Sequence, residues 1–214
     1  MGLGTIRVSP DQMPGKARQI RACGVQVMNL FYDAYELMRT TMRQNWSGSK
    51  AYNDVAVKFN DMALASLDGP KGVIKMVVDI MPQALENAAN NYTLADRGCK
   101  ITAVGGDEAK SVGIVPLGVV DGVQLQFTPN VVSSTKDQII TKLKNAEEAM
   151  NNLQVIVDSV DWSETTGDSF KAVYRMKKNE IVNVIDNMEA VFTKAINEAQ
   201  NALEAGNKAN YFGG

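Results

Sequence analysis

Residues 45–48, Asn45-Trp46-Ser47-Gly48, stand between two long amphipathic stretches, and their reading decides the fold. Before them, Ile20, Cys23, Val27, Leu30, Ala34, Leu37 and Thr41 recur at steps of three and four, one face of a helix. After them, Tyr52, Val55, Phe59, Met62 and Ser66 keep the same rhythm, and Ile74, Val77, Met81, Leu85, Ala88, Tyr92 and Ala95 continue it. Gly48 suits a tight reversal, because a residue without Cβ enters left-handed backbone space without a clash. The indole of Trp46 can then cover the open end of the helix pair. Residues 1–96 therefore predict an antiparallel helical hairpin with an aromatic cap and a glycine turn at its corner.

The same architecture returns further on. Ile139, Leu143, Ala146, Met150, Leu153, Val157 and Val160 step by four and three. Trp162 follows, then Ser163-Glu164-Thr165-Thr166-Gly167. Beyond them come Phe170, Val173, Ile181, Ile185, Met188, Phe192, Ala195, Ala199 and Ala202. Residues 135–214 predict a second hairpin, with Trp162 and Gly167 at its corner. A lone hairpin leaves an apolar face uncovered, and the second hairpin is the nearest element able to cover it. The expected fold is all-α: a four-helix bundle of two antiparallel helical hairpins.

Local signals set the boundaries. Ser9-Pro10-Asp11-Gln12 has the Ser-x-x-Gln form of a capping box, and Pro14-Gly15 moves the regular start of the first helix toward Lys16. The second helix is expected from Ser49 to Ala95. Asp68-Gly69-Pro70 and Pro82 should bend it, or Gly69 break it, since each proline removes a backbone bond. Residues 97–134 change character: β-branched residues stand with glycines between them, Val123, Leu125 and Phe127 alternate with Gln124, Gln126 and Thr128 at the period of a half-buried strand, and Val120-Asp121-Gly122-Val123 is a two-residue hairpin signal. A small β-hairpin insertion is expected there, with the third helix starting at Ser134-Thr135-Lys136-Asp137. The insert is long enough to carry the chain along a bundle of about 50 Å, its extended reach exceeding ~100 Å.

Composition narrows the function. The 214 residues carry a formal charge of −2, with both signs interspersed and no basic stripe, which argues against a nucleic-acid surface. The chain has no histidine, which removes the commonest general base, the Ser-His and Cys-His pairs and most catalytic zinc sites. Cys23 and Cys99 lack metal-ligand spacing, and Cys23 falls on the apolar stripe, so neither a metal site nor a disulfide is expected. Neither a Sec-type leader nor a run of ~18 apolar residues stands in the sequence, so no membrane span is expected. The reading is non-enzymatic, without cofactor or metal.

Helix, Trp46-Ser47-Gly48 corner, helix: this order resembles the WXG-motif family, the small early-secreted-antigen-like proteins exported by type VII secretion systems. Tyr92-Thr93-Leu94-Ala95-Asp96, closing the second helix before Arg97-Gly98, is similar to the family's Y-x-x-x-D/E export signal, and positions i and i+4 share one helix face. Location carries the match, since Tyr32-Asp33-Ala34-Tyr35-Glu36 fits the same pattern in mid-helix. The second unit departs from the family: its glycine is Gly167, not the second residue after Trp162, and its tail lacks the tyrosine signal. The resemblance implies a tandem, single-chain counterpart of a family dimer, with Trp46, Gly48, Tyr92, Asp96, Trp162 and Gly167 as recognition residues. It implies a secreted or cell-surface protein made in the cytoplasm, acting as substrate or co-secreted partner. The implied partners are a membrane ATPase of the FtsK/SpoIIIE type and a co-secreted toxin or WXG protein, with the chain itself a monomer or small homo-oligomer. The competing reading is a self-assembling structural bundle of the surface, phage or filament kind, in which the tryptophans only close the core.

Overall fold

Helix α1 runs without interruption over residues 13–45: α-helical across Met13–Leu37, π-helical across Met38–Met42, and closed by a short α-turn at Arg43–Asn45. Strand β1 (Trp46–Ser47) and helix α2 (Lys50–Leu67) follow, then α3 over residues 73–97, strand β2 (Gln126–Phe127), α4 (Pro129–Asp158) and α5 (Thr165–Ala209). The computed structural model describes residues 8–67, 73–97, 117, 126–163 and 165–209. Helices take 88% of the described residues, in agreement with the all-α expectation.

The register of the helices can be read from their cross-links. Thr128 N–H donates to the Asn45 carbonyl at 2.9 Å, where α1 ends and α4 begins. Midway, Lys142 Nζ meets Asp33 Oδ2 at 2.7 Å. At the far end Ser9 Oγ donates to Asp161 Oδ2 at 2.7 Å, and Val8 forms an antiparallel bridge with Trp162. Helices α1 and α4 are thus antiparallel along their whole length. Helix α5 returns antiparallel along α4, pinned by Arg175–Asp158 at 2.8 Å and Lys144–Glu189 at 2.7 Å. It also packs on α2, where the rings of Phe59 and Phe192 meet edge to face at 6.3 Å. The exposed ion pairs mark register more than they stabilise, since water screens them.

Helix α1 is covered on two sides, by α4 and by α3. Its buried arc is correspondingly wider than one stripe, and takes in Met13, Ala17, Ile20, Gly24, Val27, Met28, Phe31, Ala34, Tyr35, Met38 and Met42. Cys23, Leu30 and Leu37, expected at its centre, sit at its half-buried margin. Met38, Met42 and Trp46 are spaced four apart, a step that drifts about 40° at 3.6 residues per turn. The π-helical turn absorbs that drift and keeps all three buried. The α4 stripe follows expectation throughout, from Ile139 to Val160. On α5, Tyr174 takes the buried place expected of Val173, which is exposed.

Several boundaries move. The Ser9–Gln12 capping box does not form, because the Ser9 hydroxyl is spent on Asp161 and Gln12 is the N-cap without a side-chain bond. Helix α1 starts at Met13, with Pro14 tolerated in a first turn that needs no N–H. The third predicted helix, α4, begins at Pro129, so residues 129–134 are helical and the predicted insert ends sooner. Proline at the first position is pre-set for the helix. The predicted second helix is described as α2 and α3; the Gly69-Pro70 link lies outside the described residues, as does the predicted hairpin at Val120–Val123. Pro82 follows a π-helical turn at Met76–Ile80. Lacking an N–H, it cannot bond the Val78 carbonyl four residues back, and Arg21 Nε of α1 donates to that carbonyl instead, at 3.0 Å.

Two outcomes test this packing. A Cβ on Gly24 would stand 2.9 Å from the Cγ2 atoms of both Val77 and Val78. Those β-branched side chains have little rotamer freedom to yield. Gly24→Ala, which gains about 1 kcal/mol of intrinsic helix propensity, is expected instead to lower stability by about 1–2 kcal/mol through overpacking, read by urea denaturation. Second, burial pushes the Tyr174 phenol far above its ordinary value of 10.0, with Cys23 and Asp158 adding to the effect, while its hydroxyl donates to the Met150 carbonyl at 2.6 Å. The folded-state pKa is raised, so this stabilisation is whole below pH 10.0 and is lost above it, where only the unfolded chain ionises. The melting temperature should fall as pH rises from about 9 to about 11, and Tyr174→Phe should flatten that slope.

Candidate functional site

The first corner is built by three consecutive local requirements. Trp46 leaves the helix in extended conformation, with φ −147° and ψ 104°. Gly48 takes φ +75°, the one positive φ among the described residues, and so turns the chain back. Ser49 then caps α2: its Oγ accepts the Tyr52 N–H at 3.1 Å and the Trp46 indole Nε1–H at 3.0 Å. One hydroxyl therefore satisfies both the helix end and the indole. The ring of Trp46 is completely buried, edge-on to Tyr52 at 5.9 Å and to Phe127 at 5.8 Å. Backbone pairing of Trp46 with Phe127 and of Ser47 with Gln126 fixes β2 across it.

The second corner works differently. Gly167 was expected as a turn residue, yet it lies in the first turn of α5. Its lack of a side chain makes room: a Cβ there would overlap the Trp162 carbonyl oxygen and lie 2.6 Å from the indole Cγ. The Trp162 ring is buried and tilted over Phe170 at 6.0 Å. The two tryptophans close opposite ends of α4, about 45 Å apart at 1.5 Å per residue.

Of the remaining predicted recognition residues, Tyr92 lies on α3, half-buried against the core. Asp96 is in the last turn of the same helix, one turn beyond Tyr92, and its side chain lies outside the described residues. The structure thus joins Trp46 to Gly48 and Trp162 to Gly167 as two separate corners. Ser49 and Phe127 complete the first corner and were not among the predicted residues. A serine directly after the turn glycine and before an apolar helix is a legible N-cap signal. Phe127 falls on the period-two alternation of Val123, Leu125 and Phe127 that marks a half-buried strand, and it does lie in one, but its partner stands across 80 intervening positions and has no local signal.

Among the described residues no group of three or more Cys, Asp or Glu is placed to hold a metal ion. No helix of the described residues is long and apolar enough to cross a membrane. Burial raises the Tyr52 phenol, partly offset by Arg43, and raises the Cys23 thiol. Neither shift makes a nucleophile available near neutral pH. The chain matches no family model, no curated protein and no solved structure.

Substitution separates the two glycines. Gly48→Val should cost about 1–2 kcal/mol by forcing a β-branched residue into left-handed backbone, and Gly48→Ala somewhat less. Gly167→Ala should cost as much or more, although its backbone is helical, because the methyl displaces Trp162. Thermal melts monitored by tryptophan fluorescence test both; a neutral Gly167→Ala would remove the packing role of that glycine.

Proposed function

We propose that this chain is a non-enzymatic protein of a type VII, WXG-type secretion system, exported as a substrate or as a co-secreted binding partner. In this reading residues 1–96 and 135–214 are two hairpins of one four-helix bundle, so the chain carries its own partner. The observation that supports it best is the corner at Trp46-Ser47-Gly48. A fully buried indole and a glycine at φ +75° join two long helices, the arrangement that the family resemblance requires. The antiparallel pairing of α1 with α4, and the placing of the two tryptophan corners at opposite ends, fit a head-to-tail pair of hairpins.

The corners act as scaffold in this reading, and Tyr92 with Asp96 carries the signal to a membrane ATPase of the FtsK/SpoIIIE type. The signal pair stands near the end of α3, with Tyr92 partly buried against the core. A co-secreted toxin or second WXG protein would be the cargo or partner. The complete burial of Trp46 also favours a second reading, a self-assembling structural bundle in which the corners only close the core.

Export from a host with such a system is expected to need both signal residues. Tyr92→Ala and Asp96→Ala should hold the protein in the cell pellet while leaving its helical circular dichroism unchanged. Wild-type amounts of both variants in the culture supernatant would end the export reading. Large open assemblies growing with concentration in light scattering would favour the structural one.

A further inference from the structure

Between α2 and α5 the surface opens into a trough with two adjoining hollows, of about 580 and 370 Å³. It runs from Ala51 and Glu198, at the Trp46 end, to Met62 and Val184. That length is three turns of α2, about 16 Å, and nearly four turns of α5, about 21 Å. Met62 and Met188 form the buried floor, Val184 and Val191 are half-buried, and Val57 on the rim is 46% exposed. Methionine floors adapt to varied apolar partners. The charges are ordered along the trough: Asp54 and Glu198 at one end, Lys58 and Lys194 at the waist where both hollows meet, Asp61 beyond. Lys194 is held only loosely by Glu198, at 3.9 Å, with its side chain 79% exposed.

We infer that this trough docks an amphipathic helix of another protein. That helix presents apolar residues at i, i+4 and i+7 to the methionine floor and a carboxylate to the Lys58–Lys194 waist. One turn away it carries a basic side chain toward Asp54 and Glu198. Three turns of groove with charge alternating at one-turn intervals match a helix, the repeat of which is 5.4 Å. A compact ligand would use the apolar floor and leave the alternation unread. A second copy of this chain is the poorer fit. The large apolar side chains left exposed among the described residues, Tyr32, Val57, Ile80, Val155, Val173 and Met176, do not form an i, i+4, i+7 row on any one helix. The inference stands apart from the export reading and needs no export signal.

The test uses the full-length protein and two lactam-stapled helical peptides of about 16 residues, labelled for fluorescence anisotropy. Both carry the same leucine stripe. One has glutamate at the central flank with lysines a turn away on either side; the other has these charges reversed. The glutamate-centred peptide should bind saturably and the reversed peptide more weakly. Lys58→Glu with Lys194→Glu should weaken the first by about ten-fold or more and strengthen the second, since attraction and repulsion exchange places. That rescue by charge reversal also shows that the doubly substituted protein is folded. No saturable binding, or binding by both peptides that ignores the double substitution, overturns the proposal. Self-association in sedimentation velocity that the double substitution abolishes would overturn it too, giving the trough to a second copy.

Discussion

The short pairing of Trp46-Ser47 with Gln126-Phe127 sets where the second half of the molecule begins. Because Phe127 lies across the end of α1, Pro129 must start α4 there, and the only direction that keeps its apolar stripe covered is back along α1. Two backbone pairs cannot hold such a junction alone, for a two-stranded ribbon is marginal in water. The indole supplies the rest. Buried Trp46 makes edge contacts with Tyr52 and Phe127, each contributing about 0.5–1.5 kcal/mol beyond the area buried. Its one polar atom is answered by Ser49. At the other end of α4 the bridge from Val8 to Trp162 and the bond from Ser9 to Asp161 do the same work. The α1–α4 pair is therefore clamped at both ends, and α2, α3 and α5 are arranged around it.

That central position imposes its own demands on α1. A helix packed on two sides needs close approach on at least one, and Gly24 provides it at Val77 and Val78. The same contact region holds the defect that Pro82 introduces into α3. Its unpaired Val78 carbonyl would be costly if buried without a donor, by about 1–3 kcal/mol, and the Arg21 guanidinium fills that role from one turn before Gly24. The glycine and the arginine therefore serve one crossing: the first admits the backbone of α3, the second satisfies what its proline leaves open.

What was legible in the sequence follows from this division. On α4 the stripe is legible in its facing, and every residue from Ile139 to Val160 assigned to it is buried, with Ile140 and Ala149 widening the buried face beyond it. Helix α1 is legible as a helix but only in part in its facing, since its buried arc is wider than the one stripe the sequence suggests; Phe31, Tyr35 and Met38 lie on the part that stripe leaves out. Gly48 was readable because a positive φ has a local sequence signature. Gly167 was placed at the right corner for the wrong cause, since a glycine that makes room for a neighbouring ring looks, in sequence, like a glycine that turns. Ser9 was misassigned because a hydroxyl able to cap a helix is equally able to bond a distant carboxylate. A strand at Phe127 is legible in its alternation with glutamine and threonine, but its partner Trp46, far away in sequence, is not.

Burial divides the candidate residues by what they are able to do. A ring with no exposed surface cannot be read by a partner, so Trp46 contributes to recognition only by holding α1 and α2 in place. The same holds for Trp162, at 5% exposure. Chemistry that another protein could read lies elsewhere: on the end of α3, where Tyr92 keeps part of its ring in solvent, and along the trough between α2 and α5, where Lys58 and Lys194 face solvent over an apolar floor. The trough belongs to helices that reach their positions through the buried corners, since α2 follows directly on Gly48 and α5 starts against Trp162. A substitution in either corner would therefore disturb the trough indirectly, by shifting these helices, whereas one at Lys58 or Lys194 would change the surface and leave the fold intact.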